Sequence, residues 1–235
     1  MTHTCQTGDT TPVTLLPREV RLVVERILLL TPLPAGMVPA VRDVLLYSAA
    51  AGLGGLPALR RDFAALRAAR PDAVALSEAG HGEARLEAHG QHSWLVLPMV
   101  LDVLAELVAA HGSGRLAIQD ALAPEELATA CAMGGRLGLA ITLADAGPSG
   151  VILTATPGGG EDPVLARALR DGIPTEAALW WELHHLSNTS LSPDTPESRR
   201  HAGPVIVLED GRVIGRSDHD DDTDMSLLTE KASLC

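Results

Sequence analysis

The spacing of apolar residues changes near Arg70, and this change constrains the fold more than any other feature of the chain. Before it, three helices are expected. Pro17 to Leu30 sets Val20, Val23, Val24, Ile27 and Leu28 on one face, with Pro17 suited to a first turn and Thr31-Pro32-Leu33-Pro34 as the stop. Val38 to Ala51 ends at Gly52, Gly54 and Gly55. Pro57 to Arg70 turns Leu59, Phe63 and Leu66 inward and Arg60, Arg61 and Arg67 outward, and Pro71 closes it.

After that point short alternating pieces appear. Ala73 to Ser77 and Glu83 to Ala88 read as strands around Gly80-His81-Gly82. Leu95 to Ala110 returns to helix; Pro98, Asp102 and Glu106 interrupt its apolar run, which reads as a core helix and not a membrane span. Arg115 to Gln119, Pro124 to Leu137 and Gly138 to Leu143 then form a strand–helix–strand unit of the size of a parallel crossover. A strand at Val151 to Ala155, a short helix at Pro163 to Arg170 and a helix from Trp180 to Leu186 capped by Thr175 follow. Asp210-Gly211 between Val205 and Gly215 marks a two-residue hairpin turn. The expected fold is therefore α+β: a helical N-terminal lobe, a mixed α/β sheet region and a C-terminal β-hairpin. Residues 1–14 read as a loose tail, 15–225 as one domain with a soft seam near 70, and 226–235 as a second tail.

Composition narrows the chemistry. Apolar residues make up 46% of the 235, yet aromatic ones are limited to Phe63, Tyr47 and three tryptophans, so aliphatic side chains and alanine must pack the core. The single lysine, Lys231, lies five residues from the end, which disfavours a Schiff-base or phosphate-loop lysine. A net charge of −12 disfavours nucleic acid as a partner. Cys5, Cys131 and Cys235 are too scattered for a disulfide framework or a zinc site, and Cys131 reads as a small buried residue. With no basic, apolar leader at the start, a cytoplasmic location is expected.

Chemically capable residues concentrate between Trp181 and Asp222. His184 and His185 each lie one helical turn from a tryptophan, Trp180 or Trp181. An apolar wall disfavours imidazolium and suits a general base; a helix-end histidine capping carbonyls fits the same spacing. Arg199 and Arg200, beside Ser198 and His201, form either an anion clamp or a solvated pair answering the acidic tail. Asp218, Asp220 and Asp222 alternate as in a calcium loop. Thr223 and Thr229 stand where that loop needs glycine and glutamate, which rejects an EF-hand and leaves a weaker divalent-metal site or a solvated acidic tail as the alternatives. No metal is assigned, and Asp218 and Asp220 are better suited to hold an imidazole or an ammonium. Gly158-Gly159-Gly160 lacks phosphate-loop spacing and reads as a mobile connector or lid.

The pattern Pro193-x-Thr195-x-x-Ser198-Arg199-x-x-Ala202-Gly203 before an Asp-rich end resembles a bacterial domain family of unknown function. So do the Pro17-Arg18-Glu19-Val20 opening and the Gly52–Leu59 bend. That family is similar to the malate/lactate-type dehydrogenases that lack the usual nucleotide-binding fold. Those enzymes carry substrate-binding histidines in Ser-His-Gly and His-Phe-Gly motifs. Here the corresponding stretches are Gly52-Leu53-Gly54-Gly55 and Gln119-Asp120-Ala121-Leu122, without histidine, so neither hydride transfer nor a nicotinamide is carried over.

Size and composition also resemble the larger subunit of the two-protein enzymes that close an aziridine ring in azinomycin-type antibiotic biosynthesis by sulfate elimination. This resemblance implies a cofactor-free lyase working as a heteromer with a smaller partner protein, on a substrate tethered to an acidic amino-group carrier protein. His184, His185 or His201 would take the proton, Asp218 or Asp220 would orient the amine, and Arg199 and Arg200 would bind the sulfate. Ser198, Trp181, Arg216 and Ser217 would complete the substrate-binding set. Two other functions fit the same residues: a degenerate dehydrogenase-like protein binding a small carboxylate, and a non-catalytic partner subunit.

Overall fold

Two helices with almost no polar face organise the fold. The computed structural model describes residues 11–147, 150–191, 205–210 and 212–215, which divide into two units, Met1–Ser190 and Leu191–Cys235. In the first unit, α1 (Pro17–Leu28) buries the five expected residues of its apolar face. α2 (Val38–Ala50) buries Val41 and every residue from Val44 to Ser48, because α1, α3 (Gly55–Arg67) and α4 (Ser93–His111) all pack around it. α4 buries Trp94 through Leu97, Val100, Leu101, Leu104 and Val108. It is long and apolar enough to cross a membrane. Here it is wedged between α2 and the sheet, as the core helix its sequence suggested.

The main sheet has five strands in the order β2-β3-β4-β6-β5: β2 (Ala75–Gly80), β3 (Glu83–Glu87), β4 (Gly114–Gln119), β5 (Leu139–Asp145) and β6 (Gly150–Pro157). Ala84, Leu86, Leu116, Ile118, Leu153 and Ala155 point to the α4 side, and Arg85 and Arg115 to the open face. Each large aliphatic side chain buried there contributes about 1.5–3 kcal/mol.

The adjacent parallel pair is β3–β4, joined through α4; β4 and β5 also run parallel, joined as expected through residues 124–137, with β6 between them and antiparallel to both. Residues 124–137 break into a 3-10 turn at Pro124–Ala128, a five-residue α5 (Thr129–Met133) and a second 3-10 turn at Gly134–Leu137. The 19 residues of α4 form the longer of the two connections, at about 1.5 Å per residue.

Further departures from expectation are local. Pro12–Leu15, read as part of a loose tail, is strand β1, paired antiparallel with β7 (Ile173–Glu176). Thr175 is consequently a strand residue opposite Val13, and Glu176 occupies the N-cap of α7 (Ala177–Asn188). Cys131 is exposed, not buried. Gly158–Gly160 is pinned rather than free: Gly158 N–H donates to Gly138 O at 3.0 Å and Gly160 N–H to Gly135 O at 3.1 Å, behind α6 (Pro163–Asp171).

In the second unit, β8 (Val205–Val207) and β9 (Val213–Gly215) form the expected hairpin, with Val207 opposite Val213. Leu208 N–H donates to Arg212 O at 2.7 Å, so the connection is longer than the two-residue turn read from Asp210-Gly211.

Candidate functional site

The α2–α3 corner builds a pocket because the chain turns there without side chains in the way. Gly52, at φ +74°, ends α2; its N–H reaches Ala49 O at 3.2 Å and Leu53 N–H reaches Ser48 O at 2.9 Å, the paired bonds of a glycine-terminated helix. Gly54 then caps α3. The corner faces the β1–β7 ribbon and the start of α7 across a pocket of about 540 Å³. Leu53, Leu56, Ile173 and Leu179 form its apolar wall, and Arg60 and Glu176 supply charged groups.

A buried polar network lies behind the corner. Glu126 is 1% exposed and is the one buried carboxylate among the described residues. Its Oε2 accepts from Ser48 Oγ at 2.6 Å and from Trp94 Nε1 at 2.8 Å. Ser48 Oγ in turn accepts from Gly55 N–H at 2.8 Å, so the carboxylate holds the corner through one hydroxyl. Glu126 Oε1 fills the space beside Gly54 that a side chain would take; a Cβ there would lie within van der Waals contact of that oxygen and 3.0 Å from Glu126 Cδ. Ser93 Oγ, 2.8 Å from Ala123 O and 3.1 Å from Leu122 O, fixes the turn that aims Glu126 inward.

His92 clamps α3 to α4. Its Nδ1 accepts from Trp94 N–H at 3.2 Å, which leaves Nε2 to carry the proton toward Asp62 Oδ2 at 3.3 Å. Burial, more than it is offset by Asp62, pushes the His92 pKa below its ordinary value. The Arg61 guanidinium, bidentate at 2.9 and 2.7 Å, holds Asp62 below the usual carboxylate range. A second charged cluster joins Tyr47, Asp162 and Arg136. Tyr47 O–H donates to Asp162, and burial followed by that carboxylate pushes the phenol up to about 12.

On α7, the expected contact between tryptophans and histidines forms. Trp180 and His184 ring centroids lie 6.2 Å apart, Trp181 and His184 5.4 Å, and Trp181 and His185 6.4 Å. Trp181 is 54% exposed, His184 half-buried and His185 exposed. His184 Nδ1 is buried without a hydrogen-bond partner among the described residues. Ser198, Arg199, Arg200, His201, Arg216, Ser217, Asp218 and Asp220 lie outside the described residues. No group of three metal-ligating side chains occurs among the described residues.

No family model matches the chain, and no curated protein matches it. Solved structures do. A dehydrogenase from Sinorhizobium meliloti superposes with a TM-score of 0.57 at 12% identity, over 75% of this chain and 100% of that one. The chain shares the fold of that protein. A malate dehydrogenase from Pyrococcus horikoshii matches at a TM-score of 0.44 and 11% identity, over 76% of this chain and 66% of that one. For sulfolactate dehydrogenase from Methanocaldococcus jannaschii the values are 0.43 and 12%, over 54% and 38%, so the match spans well under half of that enzyme.

The dehydrogenase-like likeness stated from sequence thus holds at the level of fold, and the pocket sits at the Gly52–Gly55 stretch compared there with a histidine motif. Sequence reasoning missed Glu126, Arg60 and Glu176 as site residues. Glu126 stands in an ordinary Pro-Glu-Glu turn start, and only the need of the buried Trp94 indole for an acceptor hints at it.

Proposed function

We propose that this chain binds a small, amine-bearing molecule in the pocket at the α2–α3 corner and acts on it as one subunit of an enzyme. The charge balance of the pocket carries this reading. Arg60 Nε is already engaged by Glu182 at 2.8 Å. Glu176 and, behind Gly54, Glu126 have no ion-pair partner among the described residues. A site with surplus carboxylate favours ammonium, whose charge it compensates in a partly water-excluded setting.

The reaction we favour is aziridine closure with loss of sulfate. The ammonium of an amino sulfate ester gives up one proton, and its nitrogen lone pair forms a bond to the carbon bearing the ester. The carbon–oxygen bond breaks with its electron pair going to sulfate, and the ring nitrogen then loses a second proton. No electron acceptor or donor is required. The residues proposed from the sequence for this chemistry are Arg199 and Arg200, with Ser198, Arg216 and Ser217, for the sulfate. For the proton they are His184, His185 or His201, with Trp181, and for the amine Asp218 or Asp220. A smaller partner protein completes the enzyme, and an acidic amino-group carrier protein presents the substrate. The test is sulfate release from an amino sulfate ester, read by ion chromatography, with chain and partner purified together. Release equal to the aziridine formed is expected; none from folded, partner-bound protein overturns the reaction.

A second reading, a degenerate dehydrogenase-like protein holding a small carboxylate, is favoured by the fold shared with the Sinorhizobium meliloti dehydrogenase. Thermal shifts separate the two: 2-oxo acids stabilise the chain under this reading, and small amines under the first.

A further inference from the structure

Burial without a salt-bridge partner among the described residues is the unusual property of Glu126, which Arg61 and His92 feel only at longer range. An isolated buried carboxylate is costly unless compensated, yet its two hydrogen-bond donors, Ser48 Oγ and Trp94 Nε1, are both neutral. The guanidinium that feels its charge is committed elsewhere: Arg61 binds Asp62 at 2.7 Å, with Glu125 at 4.0 Å. His92 turns its Nε2 to Asp62, and its burial disfavours the imidazolium form. The uncompensated oxygen, Oε1, lies against Gly54, and Gly54 lines the pocket on its other side. Only glycine leaves that space open, since any Cβ at position 54 would collide with Oε1 and lie 2.7 Å from Ala58 Cβ.

From this juxtaposition we infer that Glu126 determines the specificity of the pocket: its carboxylate, one glycine behind the wall, selects a protonated amine over a neutral isostere. A bound ammonium adds the charge that Arg61, engaged by Asp62, answers only in part. The inference rests on the amine-binding reading and names the residue responsible. Glu126 acts through space and not as a proton acceptor, because Gly54 stands between it and the ligand. Two carboxylates then divide the work: Glu176 meets the ligand in the pocket, and Glu126 sets the potential beneath it.

The experiment compares the binding of 2-aminoethyl hydrogen sulfate with that of 2-hydroxyethyl hydrogen sulfate by calorimetric titration of the full chain. A unit charge at this depth favours the amine by at least about tenfold. Glu126→Gln keeps the shape and an acceptor for Ser48 and Trp94; it should abolish most of the ratio while leaving the hydroxyl probe within about twofold. Ser48→Ala keeps the charge but loosens the corner, so it should weaken both probes and preserve the ratio, which a purely structural Glu126 does not predict. A folded Glu126→Gln chain with the wild-type ratio overturns the inference. Equal binding of the two probes by wild type, which needs no variant to fold, overturns the preference for ammonium and the inference that rests on it. Binding of neither probe overturns the pocket reading and this inference together.

Discussion

Replacing Gly54 with alanine tests the network behind the pocket on stability alone. The backbone at Gly54 has φ −60° and ψ −45°, values that alanine adopts readily. On backbone grounds the change should therefore stabilise the protein, by about 0.4–1 kcal/mol. The surroundings oppose it. The new Cβ would overlap Glu126 Oε1, sit 3.0 Å from Glu126 Cδ and lie 2.7 Å from Ala58 Cβ. Glu126 has to withdraw, which stretches its bonds from Ser48 Oγ and Trp94 Nε1, now 2.6 and 2.8 Å. Each such bond to a charged group is worth about 1.5–3 kcal/mol. Partial loss of both, less the backbone gain, gives a net destabilisation of about 2–4 kcal/mol. Urea unfolding followed by tryptophan fluorescence measures it. A double-mutant cycle with Glu126→Ala locates the cause: removing the carboxylate relieves the overlap but not the Ala58 contact, so the pair should couple by about 2 kcal/mol. A neutral or stabilising Gly54→Ala, or additive costs, would refute the placement of Glu126 against this glycine.

Three further outcomes are expected. Tyr47 is the single tyrosine of the chain, so near-ultraviolet absorbance should show no tyrosinate below about pH 11 while the fold persists; ionisation near the ordinary value would contradict its burial against Asp162. The folded-state pKa of His92 lies below its unfolded value. The unfolded chain therefore takes the proton first, so stability present above about pH 6.5 should fall as the pH drops below that value. His92→Asn, which keeps a cap acceptor for Trp94 N–H, should flatten this slope in unfolding curves between about pH 5 and 7. Leu104→Ala, at a fully buried position on α4, should cost about 2–5 kcal/mol in the same assay, and a loss below about 1 kcal/mol would mean that α4 is not the core helix.

Much of the fold was legible because it is encoded locally. The helical periodicity of Val20, Val23, Val24, Ile27 and Leu28 needs no partner to be recognised, and Gly52 announces the end of α2 by its own backbone freedom. Strand pairing was not legible in the same way. Leu139–Asp145 and Gly150–Pro157 both read as strands, but nothing in either segment states which neighbour of β4 it becomes. The Thr175 cap failed for a related reason. A pairing with Val13, distant in sequence, claims that residue for β7 and passes the helix start to Glu176.

Composition, periodicity and turn residues thus determined the α+β class, an aliphatic core and the glycine-marked end of α2, since each depends on a residue and its near neighbours along the chain. Tertiary structure alone decided that Ser48, Glu126 and Trp94 meet, because the 78 residues separating Ser48 from Glu126 carry no mark of their contact. A buried carboxylate acquires meaning only from the groups folding brings against it. Here those are two neutral donors, one glycine, and no cation within ion-pair distance among the described residues.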